Sequence, residues 1–210
     1  MRAFIAVLVT AVLAGCAGNL KYVRPTAYEK IEISKTIPKP RDTVWNSAVL
    51  QLGKQFFVID HLDKASGFIN LSYNGDPGPF VDCGHITSYI KNAREARIYN
   101  FPGGSAHQNY EVIDGNNLFI IERKMSLKGS VKLIFEEVGP SSTKITANAY
   151  YMLRRQLRGR YEGEDIPQSS TDDISFTYGG GATFPSNMDE RSIECVCTGR
   201  MERDILLLIE

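Results

Sequence analysis

The chain has few cysteines and no excess of either charge. Its 210 residues hold 4 cysteines, 24 basic and 24 acidic side chains. A balanced surface lacks the basic face that a nucleic-acid binder needs, so nucleic acid is not expected as a partner. Beyond Leu13 no apolar stretch is long enough to cross a bilayer as a helix. No Gly-x-Ser-x-Gly elbow is present to seat a serine nucleophile. Gly179-Gly180-Gly181 is followed by no Gly-Lys-Ser/Thr, so it reads as a turn or bulge and not as a phosphate loop. There is no internal repeat, and nothing calls for a cofactor.

What is present begins at the N-terminus. Arg2 supplies a positive start, Ala3 to Leu13 a mostly apolar run, and Ala14-Gly15 the small residues of a cleavage site. That run is too short for a helix spanning a ~30 Å hydrocarbon core. The next residue is Cys16. Leu13-Ala14-Gly15-Cys16 resembles the lipobox of bacterial lipoproteins. The resemblance implies a diacylglycerol on the Cys16 sulfur, cleavage before it, and acylation of the new amino group. One acyl chain holds a protein to a membrane only marginally, and two or more hold it stably. Ala17 stands where an Asp often signals inner-membrane retention in such lipoproteins, so the resemblance implies the outer membrane.

With Cys16 lipidated, Cys83, Cys195 and Cys197 remain. Export to an oxidising compartment favours a disulfide. A Cys195–Cys197 bridge would close a very small, strained ring, so Cys83 pairs with one of the two. Cys195 is the favoured partner, because Cys197 lies nearer the final helix, where a free thiol is easily housed. Two alternatives use the same residues. Cys83, His85, Cys195 and Cys197 make four potential zinc ligands, at a spacing tighter than structural sites use. Cys83 or Cys197 with His85 or His107 would serve a cysteine hydrolase or thiol-redox centre, which needs a thiolate held by an imidazole.

Residues 1–15 thus read as a signal peptide, 16–30 as a lipid-anchored tether, and 31–210 as a single domain. Ile31, Ile33 and Ile37 predict a first strand. Trp45, Ala48, Val49, Leu52 and Phe56 recur at helical spacing, predicting a helix over 42–56 with Asp42 as its cap. Phe57-Val58-Ile59 reads as a strand, His61 to Gly67 as a turn, and Phe68 to Tyr73 as a strand. Asn74 to Pro79 is a turn. Val81 to Tyr110 yields no firm assignment: Tyr89 to Ile98 fits a helix or a strand, and Phe101-Pro102-Gly103-Gly104 reads as a loop. Alternation at Val131, Leu133, Phe135 and at Ile145, Ala147, Ala149, Tyr151, Leu153 predicts a long hairpin. Arg154 to Gln168 reads as a charged loop, and Ile174, Phe176 and Tyr178 as a strand. Met201, Ile205, Leu208 and Ile209 predict a closing helix.

The expected fold is therefore α+β: a mainly antiparallel sheet with an N-terminal and a C-terminal helix. Trp45, Leu52, Phe57-Val58-Ile59-Asp60, Asp63, Gly67, Phe68-Ile69 and Tyr73 resemble the start of the helix-grip domains in the C lipoprotein of the β-barrel assembly machine, over residues 43–73. Arg154, Arg155, Arg158 and Arg160, with Tyr150, Tyr151 and Tyr161, form the densest basic-aromatic cluster. It would suit phosphate headgroups or an acidic partner, although a solvated loop is the plainer reading. The expected function is a non-catalytic binding or assembly module on the periplasmic side of the outer membrane. It would meet the membrane through lipid on Cys16 and engage an envelope protein. The alternative is an envelope hydrolase or thiol-redox protein using Cys83, Cys195 or Cys197.

Overall fold

A computed structural model describes residues 17–26, 32–55, 57–91, 95–188 and 190–210. In chain order the elements are β1 (Ala17–Val23), β2 (Ser34–Ile37), α1 (Arg41–Leu52), β3 (Val58–Asp63), β4 (Phe68–Gly75), β5 (Val81–Asp82) and β6 (His85–Lys91). There follow β7 (Ala96–Pro102), β8 (His107–Asp114), β9 (Asn117–Gly139), β10 (Ser142–Tyr161), β11 (Gln168–Thr177), β12 (Gly181–Phe184), β13 (Ile193–Cys197) and α2 (Arg200–Leu207).

The β9–β10 hairpin is the spine. Strict period-two alternation builds it. Phe119, Ile121, Met125, Leu127, Val131, Leu133 and Phe135 turn inward on β9, and lysines alternate with them outward. At ~3.3 Å per residue such strands reach about 70 Å, so each spine edge is long enough to hold two partners end to end. On β9 these are β8, paired with residues 117–124, and β4, paired with 127–134. On β10 they are β2, paired with 143–146, and β11, paired with 150–159. Outside β4 lies β3.

The inner face of the spine is covered by three bodies. α1 docks Trp45 edge-on to Phe135 at 5.1 Å between ring centres. Truncating so large a buried side chain costs roughly 3–5 kcal/mol. α2 lays Met201 over Gly129, where a β-carbon would stand 2.8 Å from the Met201 Cε. The absent side chain at Gly129 leaves room for the Met201 tip, which would have to shift if a β-carbon stood there. At the far end a small sheet, β1-β6-β7, covers β8, with Phe101 against Tyr110 at 5.1 Å. A third sheet, β12-β13-β5, closes the side.

The α+β expectation is corrected: both helices exist but are short, 12 and 8 residues, and the chain is mainly antiparallel β. Three segments shift the balance. Val81 to Tyr110, unassigned from sequence apart from a loop expected at Phe101 to Gly104, supplies β5, β6, β7, which takes in Phe101 and Pro102, and the first half of β8. Arg154 to Tyr161 continues β10 and does not loop out. Ala17–Val23, read as tether, pairs along its whole length with β6. Smaller differences follow capping and pairing. α1 starts at Arg41 on the Pro40 carbonyl, so Asp42 sits in its first turn and makes no cap. β3 runs on to Asp63, and the turn shrinks to 64–67, where the Asp63 carboxylate accepts the Ser66 N–H at 3.0 Å. Ile31 and Phe56 lie outside the described residues.

Candidate functional site

Cys83 and Cys195 form a disulfide across 112 residues. Cys83 stands between β5 and β6, and Cys195 on β13, so the bond ties the β1-β6-β7 sheet to the C-terminal strand before α2. Both residues are buried. Cys197 is the free cysteine and is also buried. Its sulfur accepts the Gly179 N–H at 3.2 Å. Burial pushes its thiol pKa up, which opposes the thiolate a nucleophile requires. The zinc arrangement needs the Cys83 and Cys195 sulfurs as thiolates, and the disulfide removes both. His85 lies on β6 and His107 on β8, where it meets Glu122 at 3.3 Å at the surface. Cys16 lies outside the described residues.

The arginine-tyrosine cluster is split by strand alternation. Arg154, Arg158 and Arg160 point outward, and Arg155 points in. The Arg154 guanidinium donates to both carboxylate oxygens of Asp173, each at 2.8 Å. Tyr150 faces solvent, whereas Tyr151 is buried and donates its hydroxyl to the Glu202 carboxylate at 2.7 Å. Burial raises the Glu202 pKa, and raises that of Tyr151 further with help from the Glu202 charge. The Tyr161 hydroxyl donates to Asp114.

Inward-facing Arg155 belongs to a buried network that sequence reasoning missed. Its guanidinium donates to Glu190, to Asp172 at 2.8 Å and to the Pro185 carbonyl at 2.7 Å, and lies 4.8 Å from the Phe184 ring centre. Arg123 donates to the other oxygen of Glu190 at 2.8 Å, and the Tyr110 hydroxyl also reaches Glu190. Burial first, and then the Glu190 charge, drive the Tyr110 pKa well above its usual value. Two buried guanidinium cations thus meet the buried Glu190 carboxylate, with the partly exposed Asp172 at the margin, so the buried charges are paired. The sequence signal was there: Arg123 stands at an inward position between Ile121 and Met125.

The open surface lies on the opposite, outward face. β2 and β11 approach the same edge of β10 from its two ends, and Ile33 and Tyr178 are the last residues to bond it. Where they meet, a groove of about 860 Å³ opens, lined by Glu32, Ser34, Lys132, Asn148, Tyr150 and Thr177 among others. The Lys132 ammonium sits 4.8 Å from the Phe68 ring centre. Ile33, Ala149 and the rings of Tyr150 and Tyr178 give the groove a mainly apolar floor, with Lys132 and Glu32 as its charged groups. Such a lining suits reversible recognition of a mixed apolar and polar surface better than bond-making. Further along the same face stand Lys124, Lys128, Arg158 and Arg160.

No family model, no curated protein and no solved structure matches the chain.

Proposed function

We propose that this protein is a lipid-anchored envelope lipoprotein, held at the periplasmic face of the outer membrane, that works as a non-catalytic binding or assembly module. The observation that carries the reading is Leu13-Ala14-Gly15-Cys16 at the end of the apolar run that follows Arg2. The Cys83–Cys195 disulfide suits an oxidising compartment. Among the described residues no helix is long and apolar enough to cross a membrane, so lipid on Cys16 would supply the attachment.

Two features favour binding over catalysis. The sulfurs of Cys83 and Cys195 are bonded to each other, and Cys197 is held in its thiol form by burial. The outward sheet face offers the Tyr150 groove, open to an envelope protein. The test is the Cys16→Ser variant in the native host. It is expected to leave the membrane fraction or to accumulate unprocessed. Normal membrane retention with unchanged electrophoretic mobility would refute the anchor.

A further inference from the structure

Strand β1 begins one residue after Cys16, and its first residue, Ala17, pairs with Lys91 of β6. Consecutive Cα atoms are about 3.8 Å apart. Given the proposed lipid on Cys16, on which this orientation rests, the acyl chains leave the protein at the edge of the β1-β6-β7 sheet. There is no slack between lipid and fold. A lipoprotein on a tether can turn freely, but this one is hinged at a sheet edge.

The face of that sheet turned away from β8 is suited to a bilayer beside it. Cross-strand register sets Asn19, Tyr89 and Ile98 in one row, and Lys21, Thr87 and Asn100 in the next. Ile98 is 68% exposed, Val23 51% and Tyr89 37%. From Ala17–Lys91–Ala96 to Val23–His85–Pro102, no position on this face is Asp or Glu, and Lys21 and Lys91 supply positive charge. Exposed aliphatic side chains, a tyrosine and flanking lysines without acids are the composition that settles into an anionic headgroup layer. β6, paired on both sides, has its backbone satisfied within the sheet, so along the middle of the face only side-chain tips need to enter. We infer that the outward face of β1-β6-β7 lies against the phospholipid bilayer, as a second contact beside the lipid on Cys16. The β9–β10 turn and the Tyr150 groove then project into the aqueous space.

The test uses the full, processed protein in vesicles of zwitterionic and anionic phospholipid with brominated acyl chains, which quench tryptophan on contact. Ile98→Trp is compared with Val138→Trp, an exposed site near the β9–β10 turn. Trp45 is buried and gives the same background in both variants. Flotation of the same samples reports the anchor. The expected result is flotation of both variants, with the added emission of Ile98→Trp quenched several-fold more than that of Val138→Trp. Flotation with equal quenching overturns this orientation and leaves the face to a protein partner, while the anchor stands. Failure to float removes the anchor, and the orientation with it. Photolabelling of the unmodified chain from within the lipid phase gives an independent readout: label should concentrate on residues 85–102, and label confined elsewhere would contradict the contact.

Discussion

Arg123 on β9 and Glu190, 67 residues later in the chain, form an ion pair of 2.8 Å with neither side chain exposed to solvent. Glu190 also serves Arg155, so one carboxylate holds two strands of the spine to the segment between β12 and β13. Breaking a buried pair strands a charge and costs roughly 3–5 kcal/mol. Glu190→Ala should therefore lower stability by about that amount, measured by denaturant unfolding. A change under ~1 kcal/mol would show that the network does not carry this energy.

The Glu202–Tyr151 bond makes stability depend on pH in an unusual direction. Burial raises the Glu202 pKa above its ordinary value of 4.5. The folded state then holds its proton to higher pH than the unfolded chain does. Stability from this group is complete below the ordinary value and is lost as pH rises through the raised one. Glu202→Gln keeps an acceptor for the Tyr151 hydroxyl and cannot ionise. Its unfolding free energy should fall less than that of the wild type between the ordinary carboxylate value and neutrality. Parallel profiles would contradict the assignment.

Reduction of the disulfide should destabilise the domain markedly. A loop closed across 112 residues is worth ~4–5 kcal/mol in the chain-entropy model. At about 2–4 °C per kcal/mol for a domain of this size, Tm should fall by on the order of 10 °C. Cys83→Ser should match it. An unreduced digest should yield the Cys83 and Cys195 peptides joined, and Cys197 as a free thiol. A free Cys83 in protein isolated from envelopes would overturn the pairing.

Tyr150 and Lys132 line the groove from the solvent side, so changing them should alter binding and not folding. Surface substitutions of this kind move stability by about 0.5 kcal/mol or less. Tyr150→Ala with Lys132→Glu should weaken crosslinking to the envelope partner at unchanged Tm. Full crosslinking by a folded double variant would move the binding surface elsewhere.

Much of the interior was legible in the sequence wherever side-chain type and period agree. Trp45, Ala48 and Leu52 mark α1, and Val131 to Leu153 mark the central hairpin. The Cys83–Cys195 pairing followed from ring size and the position of Cys197. The misreadings have physical causes. Arg154, Arg158 and Arg160 are outward residues of a strand, but buried Arg155 interrupts the apolar alternation that would have revealed it. In β6 the inward position between Ile86 and Ile90 is Ser88, whose hydroxyl is satisfied by the Glu111 carbonyl. A polar residue at the core position hid that strand too. The Tyr150 groove arises where β2 and β11 meet, and they are more than a hundred residues apart in the chain. No local pattern encodes such a meeting.

The most direct test of the account is the mass of the N-terminal peptide from protein extracted from its native membrane. The account predicts a chain starting at Cys16 and carrying a diacylglycerol and an amide-linked acyl group. A chain that starts elsewhere, or an unmodified Cys16, would contradict it.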